Sequence, residues 1–442
     1  MTEGTPARTH DPAAEVVQIC SDLIRIDTSN YGPEDGPGER KAAEHVAALL
    51  DEVGIESRVF ESEPRRTTMV ARWGETEANR HRDPLLVHGH LDVVPAQAAD
   101  WQVDPFAGEV RDGYLWGRGA VDMKDLDAMV LSVVRARARE NAAPSRPITL
   151  CFTADEEAGA VKGAHWLVDH HPDLVADCTE SVGEVGGFSV TIKDRRIYLI
   201  ETAEKGMAWM KLTARGNAGH GSMRHLDNAV TAVSEAVARI GGHDWPVRVR
   251  PAMAELLQVV AEIVGETYDE QDPTPLIRHF GAAARMLDAV VRNTANPTML
   301  EAGYKVNVVP GEASAYVDGR VIPGLEEEFL SAIDELLGDR VTREIVHRDV
   351  PLETSFDGPV VDAIRESLVA EDPGALVAPY LMSGGTDAKA WTRLGIRNFG
   401  FTPLRLPTDL DFTALFHGVD ERVPVDALEF GARVFDRFLD LA

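Results

Sequence analysis

Cysteine is scarce: Cys20, Cys151 and Cys178 are the only three in 442 residues, too few for a disulfide framework, and none sits in a CxxC pair. They read as reduced, buried thiols, and the expected compartment is therefore a reducing one, the cytoplasm. Positive charge is short as well. Lys and Arg number 44 against 73 Asp and Glu, and the net charge of -29 argues against nucleic acid or an anionic membrane as partner, since both are polyanions. No apolar stretch approaches the roughly 20 residues a membrane-spanning helix needs. The opening MTEGTPARTHDP has no apolar core of a signal peptide. Internal repeats, low-complexity segments and long runs of like charge are missing too, which excludes solenoids and charged tails.

What remains is the composition of an ordinary globular protein, long enough for two domains. Residues 1–11 are polar and read as frayed. Apolar spacing predicts helices over 13–26 and 40–53, the second closed by Gly54. Strands are expected over 85–87 and 148–153, with a helix over 126–138 between them. Alternating strand and helix implies an α/β fold around a mixed, mainly parallel sheet, whose site lies beyond the carboxyl ends of the strands. The middle reads differently, with a half-exposed strand over 207–214 and a helix over 228–240. Residues 245–300 read as mixed and mostly helical, followed by two antiparallel strands over 304–308 and 314–321. Residues 206–354 are thus expected to form an α+β domain inserted between residues 1–205 and 355–442. A closing helix is expected over 425–441.

Charged motifs follow the predicted strands. His90 and Asp92 stand two apart after an apolar strand, so an extended backbone projects both to one side. That spacing suits a metal-bound imidazole oriented by a carboxylate, although His88 shares the parity and an isolated HxD is more often a solvated turn. Asp122 lies among glycines in GRGAVDMK, where an aspartate also serves as a helix cap. The adjacent Glu156 and Glu157 point different ways, which suits one carboxylate on metal and one carrying a proton. Glu184 sits in GEVGGF with Glu180 as competitor, and His417 precedes the last helix in FHGVDERVP. Each motif alone has an ordinary structural reading. Together they supply the nitrogen and oxygen donors zinc accepts. His165, His170, His171, His243, His279 and His347 have no such context.

The ordered series HGHLDVVP, GRGAVDMK, TADEEAG, GNAGHGS, NVVP, DGR, SGGTDA and HGVDE resembles the aminoacylase, dipeptidase and glutamate-carboxypeptidase family. Succinyl-diaminopimelate desuccinylase and acetylornithine deacetylase belong to the same group. The likeness spans roughly residues 13–440 and implies a zinc-exopeptidase-like catalytic domain with an inserted lid. It implies two zinc ions, with cobalt or manganese as substitutes. His90 and Glu184 would hold one ion, His417 and Glu157 the other, and Asp122 would bridge them. Asp92 resembles the residue orienting His90, and Glu156 the general base. In the lid, His220 resembles the residue polarising the scissile carbonyl, reaching a partner's active site in several relatives. Asn307 and Arg320 resemble the substrate-contacting pair, and Gly384, Gly385 and Thr386 a backbone cradle near the substrate carboxylate. Val185 and Asp125 depart from the proline and glycine often seen in the family.

The implied reaction is hydrolysis of an amide bond in a dipeptide or N-acyl amino acid, by a bridging hydroxide activated by Glu156. The expected partners are a small substrate with a free carboxylate and a second copy of the chain, joined through the lid. A biosynthetic deacylase removing acetyl or succinyl groups would need the same parts. A non-catalytic carboxylate binder conflicts with a full set of ligands and base, and phosphodiester cleavage with the acidity and the Arg–Asn pair.

Overall fold

A strand covered on both faces must be apolar on both, and every position of Leu85–His90 and Ile148–Thr153 is buried. In the computed structural model, which describes residues 11–32 and 36–442, these two strands pair in parallel, aligning Leu85 with Ile148 and His90 with Thr153. The frayed reading of the first residues falls, but for Asp11, outside the described ones. The chain divides into two compact units. One holds the described residues up to Thr202 with Thr354–Pro379 and Thr386–Ala442, and the other Ala203–Glu353 with Tyr380–Gly385.

The first unit is built on a mixed sheet. Its order is Ser57–Glu63, Arg66–Trp73, Ile148–Thr153, Leu85–His90, Glu180–Gly183, Arg397–Gly400, Arg195–Glu204. The middle strands, from Ile148–Thr153 to Arg397–Gly400, run parallel, and those to either side pair antiparallel. Helices Val16–Arg25, Lys124–Glu140, Pro359–Glu371 and Val425–Leu441 pack on one another. Ala164–His170 and Ala388–Thr392 close a separate cluster containing Leu86, Cys151, Leu167 and Trp391. Lys124, fully buried at the start of its helix, donates to the carbonyls of Leu23 and Ile26, both at 3.0 Å. A cation at those end carbonyls complements the dipole of the first helix and ties the loop carrying Asp122 to the unit's core.

The second unit is a four-stranded antiparallel sheet, ordered Thr294–Ala302, Glu312–Val321, Gly206–Arg215, Val341–Asp349. Helices Ala229–Gly241 and Glu326–Leu337 bury one face of it around Met210, Leu212, Ile240, Val317 and Phe329. Asn228 caps the first of these helices by accepting from Val230 N and Thr231 N. Residues 245–300 are mixed and mostly helical as expected, with helices Pro251–Val264, Thr274–Ile277 and Ala284–Val290, and they end in a strand, Thr294–Ala302. It holds Pro297 because it lies at the sheet edge, with a bulge between Pro297 and Met299. The strand expected over 304–308 is mainly turn, and only Val308–Val309 pairs, with Gly219–His220.

Among the described residues no helix is long and apolar enough to cross a membrane. The three cysteines are free and buried.

One glycine shows how tightly the parallel strands approach. A Cβ on Gly183 would lie 2.2 Å from His88 Cε1 and 2.3 Å from Nε2, and His88 is itself wedged edge-on against Trp391. Gly183→Ala is expected to cost roughly 1–3 kcal/mol by overpacking, lowering the urea midpoint with little change in slope. An unchanged midpoint would show that this approach is looser than described.

Candidate metal and catalytic site

The parallel strands end together, and the loops that follow them carry the charged side chains. Leu85–His90 ends on His90 itself. Ile148–Thr153 runs into a tight turn, Asp155 to Gly159, with Asp155 at φ 66° and Gly159 at φ 100°. Glu180–Gly183 is followed by Glu184. Two further segments complete the set: the loop before helix Lys124–Glu140, with a cis peptide between Asp122 and Met123, and the segment carrying His417 at φ 57°.

Asp122 stands between two imidazoles. Its Oδ1 lies 3.1 Å from His90 Nε2 and its Oδ2 3.2 Å from His417 Nε2. Glu184 Oε2 approaches His90 Nε2 at 3.4 Å and Glu156 Oε2 at 3.8 Å. Glu157 Oε2 approaches His417 Nε2 at 3.0 Å. Adjacent in sequence, Glu156 and Glu157 therefore face different histidines. Glu180, the alternative to Glu184, is occupied elsewhere, pairing with Arg146 at 2.7 Å and with Arg397. His88 is buried against Gly183 and Trp391, and burial pushes its pKa down to about 3.

Crowding so many ionisable groups out of water shifts all of them. Burial opposes charge on His90, but Glu184, Asp122 and Glu156 outweigh it and hold the imidazole well above its usual range. Hydrogen bonds to Asp122 and Glu157 push His417 up to about 10. Burial would raise Asp122, yet His417 and His90 keep it below the usual carboxylate range. Burial pushes Glu184 up to about 8 despite His90, and burial and the Glu184 charge drive Glu156 well up.

This donor set fits divalent cations. His90, Glu156 and Glu184 present donor atoms within 4.8 Å of one another, as do His90, Asp122 and Glu157. Glu157 Oε1 is buried with no hydrogen-bond partner among the described residues. An orphaned carboxylate oxygen beside two imidazoles is costly unless a cation takes it. Nitrogen and oxygen donors with one carboxylate facing both sides suit zinc, cobalt or manganese.

Asp92 is placed differently from the expectation. His90 Nδ1 lies 2.8 Å from the main-chain carbonyl of Asp92 and 3.7 Å from its carboxylate. The carboxylate accepts instead from Glu156 N and Glu157 N, both at 3.1 Å, and from Asn30 Nδ2 at 2.8 Å. Behind it Asn30 Oδ1 accepts from Arg66, which also pairs with Glu39 at 2.7 Å and Asp155 at 3.4 Å. Asn30, Arg66, Glu39 and Asp155 were not singled out by sequence reasoning, because their contacts join distant segments and leave no spacing to read. Asp387 was missed as well. It is buried, accepts from Thr153 Oγ1, and has its Oδ1 unpartnered among the described residues. Its place in SGGTDA was the available signal.

The remaining expected residues belong to other surroundings. His220 is exposed, with Nδ1 2.8 Å from Ser222 Oγ. It pairs with Val308, while Gly221 N donates to Asn307 O at 2.9 Å, so His220 and Asn307 are neighbours. Arg320 directs its fork at Asp318, at 2.8 and 3.2 Å. Gly384 and Gly385 lie in the loop after strand Leu376–Met382, and buried Thr386 accepts from Ala388 N at 3.1 Å.

The Arg66 network yields a test of the turn that carries the two glutamates. Arg66→Met leaves Glu39 and Asp155 buried without their cation, and stability is expected to fall by about 3–5 kcal/mol in urea unfolding at pH 7. A loss under about 1 kcal/mol, the scale of an exposed pair, would show that the network does not hold the turn.

Comparison with known proteins shows the family and the fold. The profile described as peptidase family M20/M25/M40 matches residues 86–441. The chain is 27% identical to a probable carboxypeptidase S-like 2 of Dictyostelium discoideum, over 77% of this chain and 68% of that protein. It is 26% identical to aminoacylase-1 of Sus scrofa, over 96% and 94%. Among solved structures, an M20 family metallo-carboxypeptidase, Sso-CP2 from Sulfolobus solfataricus, shares the fold at a TM-score of 0.72 and 17% identity. That match covers 97% of this chain and 99% of that one. The chain belongs to peptidase family M20/M25/M40 and is an enzyme of the peptidase and amidohydrolase kind.

Proposed function

We propose that the protein is a dinuclear zinc hydrolase that cleaves an amide bond in dipeptides or N-acyl amino acids. The observation that carries this reading is Asp122 with one oxygen toward each histidine, at 3.1 and 3.2 Å. His90 and Glu184 would hold one ion, His417 and Glu157 the other, and Asp122 both. The ions would supply a water of lowered pKa and a Lewis acid for the scissile carbonyl.

The protein's own part is proton transfer and positioning. Glu156 Oε2 stands farther from His90 Nε2 than Glu184 does, 3.8 against 3.4 Å, which supports Glu184 as ligand and Glu156 as base. Burial beside Glu184 raises the Glu156 carboxyl, and a raised carboxyl can both accept and return a proton near neutral pH. Glu156 takes the proton from the attacking water and delivers it to the leaving nitrogen. The Asp92 carboxylate fixes the backbone from which Glu156 acts.

The rest of the proposal rests on resemblance. His220 would donate to the carbonyl oxygen as charge develops. Asn307 and Arg320, with the backbone of Gly384, Gly385 and Thr386, would hold the substrate carboxylate. Arg320 would exchange Asp318 for that carboxylate, a bidentate match its fork allows. The roles of residues 206–354 as lid and homodimer contact, and a cytoplasmic location, belong to the same proposal. The carboxypeptidase and aminoacylase relatives support carboxylate-bearing substrates. Removal of acetyl or succinyl groups from an amino acid uses the same site and is the second reading.

Glu156→Gln keeps the shape and removes the proton acceptor. It is expected to retain both metal ions and to lose roughly 100- to 10,000-fold in kcat on N-acyl amino acids or dipeptides. Substantial turnover with full metal content would remove Glu156 from the role of base.

A further inference from the structure

Asp122 and His417 face each other across 3.2 Å although 295 positions separate them in the chain. Little in the packing of His417 fixes it, for its side chain is 56% exposed. The two loops are joined instead by a buried pair, Arg118 of GRGAVDMK and Glu421 of HGVDE. Glu421, fully buried, lies four positions after His417. Its Oε2 accepts from Arg118 at 2.6 Å and from Gly119 N at 3.1 Å. Its Oε1 accepts from Val121 N at 2.8 Å and from Asp122 N at 3.2 Å. Arg118 answers from the other loop, donating to the carbonyls of Gly418 at 2.9 Å and His417 at 3.5 Å, with its guanidinium over the Trp101 ring. The carboxylate of the His417 loop thus holds the backbone of the Asp122 loop, and the guanidinium of the Asp122 loop holds the backbone of the His417 loop.

We propose that the Glu421–Arg118 pair is a positioning device. It sets Asp122 against His417 and so tunes the metal position to which His417 and Glu157 belong, without touching the ion. This inference rests on the dinuclear reading above. Asp122 would serve both positions, but the effect falls mainly on that of His417 because of how the other side is held. His90 sits at the end of its own strand with its ring fixed by the Asp92 carbonyl, and Glu184 follows a strand that makes no contact with Glu421 among these hydrogen bonds. Buried ions are costly, and a carboxylate that satisfies several donors with both oxygens resists replacement by an amide, which has only one accepting oxygen. Residues behind metal ligands typically change affinity by 10- to 100-fold.

The test is stepwise zinc and cobalt titration of metal-free protein against a chromophoric chelator. Wild type is expected to take up two ions in two steps. Glu421→Gln is expected to weaken one step by roughly 10- to 100-fold and the other, which shares Asp122, by less. Arg118→Lys keeps the charge but loses the fork to the His417 and Gly418 carbonyls, and should weaken the same step less. If Glu421→Gln does not fold, Arg118→Lys decides alone. A folded variant with both steps weakened equally, or with neither changed, overturns the positioning role. Wild type binding fewer than two ions overturns the dinuclear reading first, and this inference with it.

Discussion

Everything at this site depends on one carboxylate being shared. Asp122 offers each oxygen to a different imidazole while buried, and around it Glu156, Glu157 and Glu184 crowd into the same space. Carboxylates out of water repel one another and lose hydration, so the arrangement is unfavourable on its own. The upward shifts of Glu184 and Glu156 by burial express that cost as protons held. Metal ions and protons compete for the same donor atoms, so cations can relieve the same repulsion.

The fold meets the cost by distributing it. The parallel middle of the sheet brings strand ends to one edge, so His90, the Glu156–Glu157 turn and Glu184 arrive on separate rigid elements. Buried groups behind them then hold the backbone in place. Asp92 takes the amides of both glutamates, and Asn30, Arg66 and Glu39 brace that aspartate and the turn from behind. The geometry of the cluster therefore depends on packed, hydrogen-bonded residues behind it.

Local periodicity made much of the fold legible. The strand Ile148–Thr153 and the helix Val425–Leu441 have the bounds their apolar patterns predict. Thr294–Ala302 was not legible, because an edge strand holding Asn296 and Pro297 lacks the alternation of a central one. At the site, His90, Glu156, Glu157 and Glu184 come together because each follows a strand whose end the sheet aligns, and Asp122 and His417 reach them from two further segments. What sequence could not supply were contacts between distant segments. The carbonyl rather than the carboxylate of Asp92 meets His90, because the backbone after the strand turns toward Thr28 and Asn30. The Arg66 and Glu421 networks join residues whose spacing carries no periodic signal.

The central claim is that the shared carboxylate organises two metal positions. Elemental analysis of protein saturated with zinc, combined with anomalous scattering from its crystals, tests it most directly. The account predicts two ions per chain, about 3.5 Å apart, with an Asp122 oxygen on each. A single ion, or a pair not joined by Asp122, would contradict it.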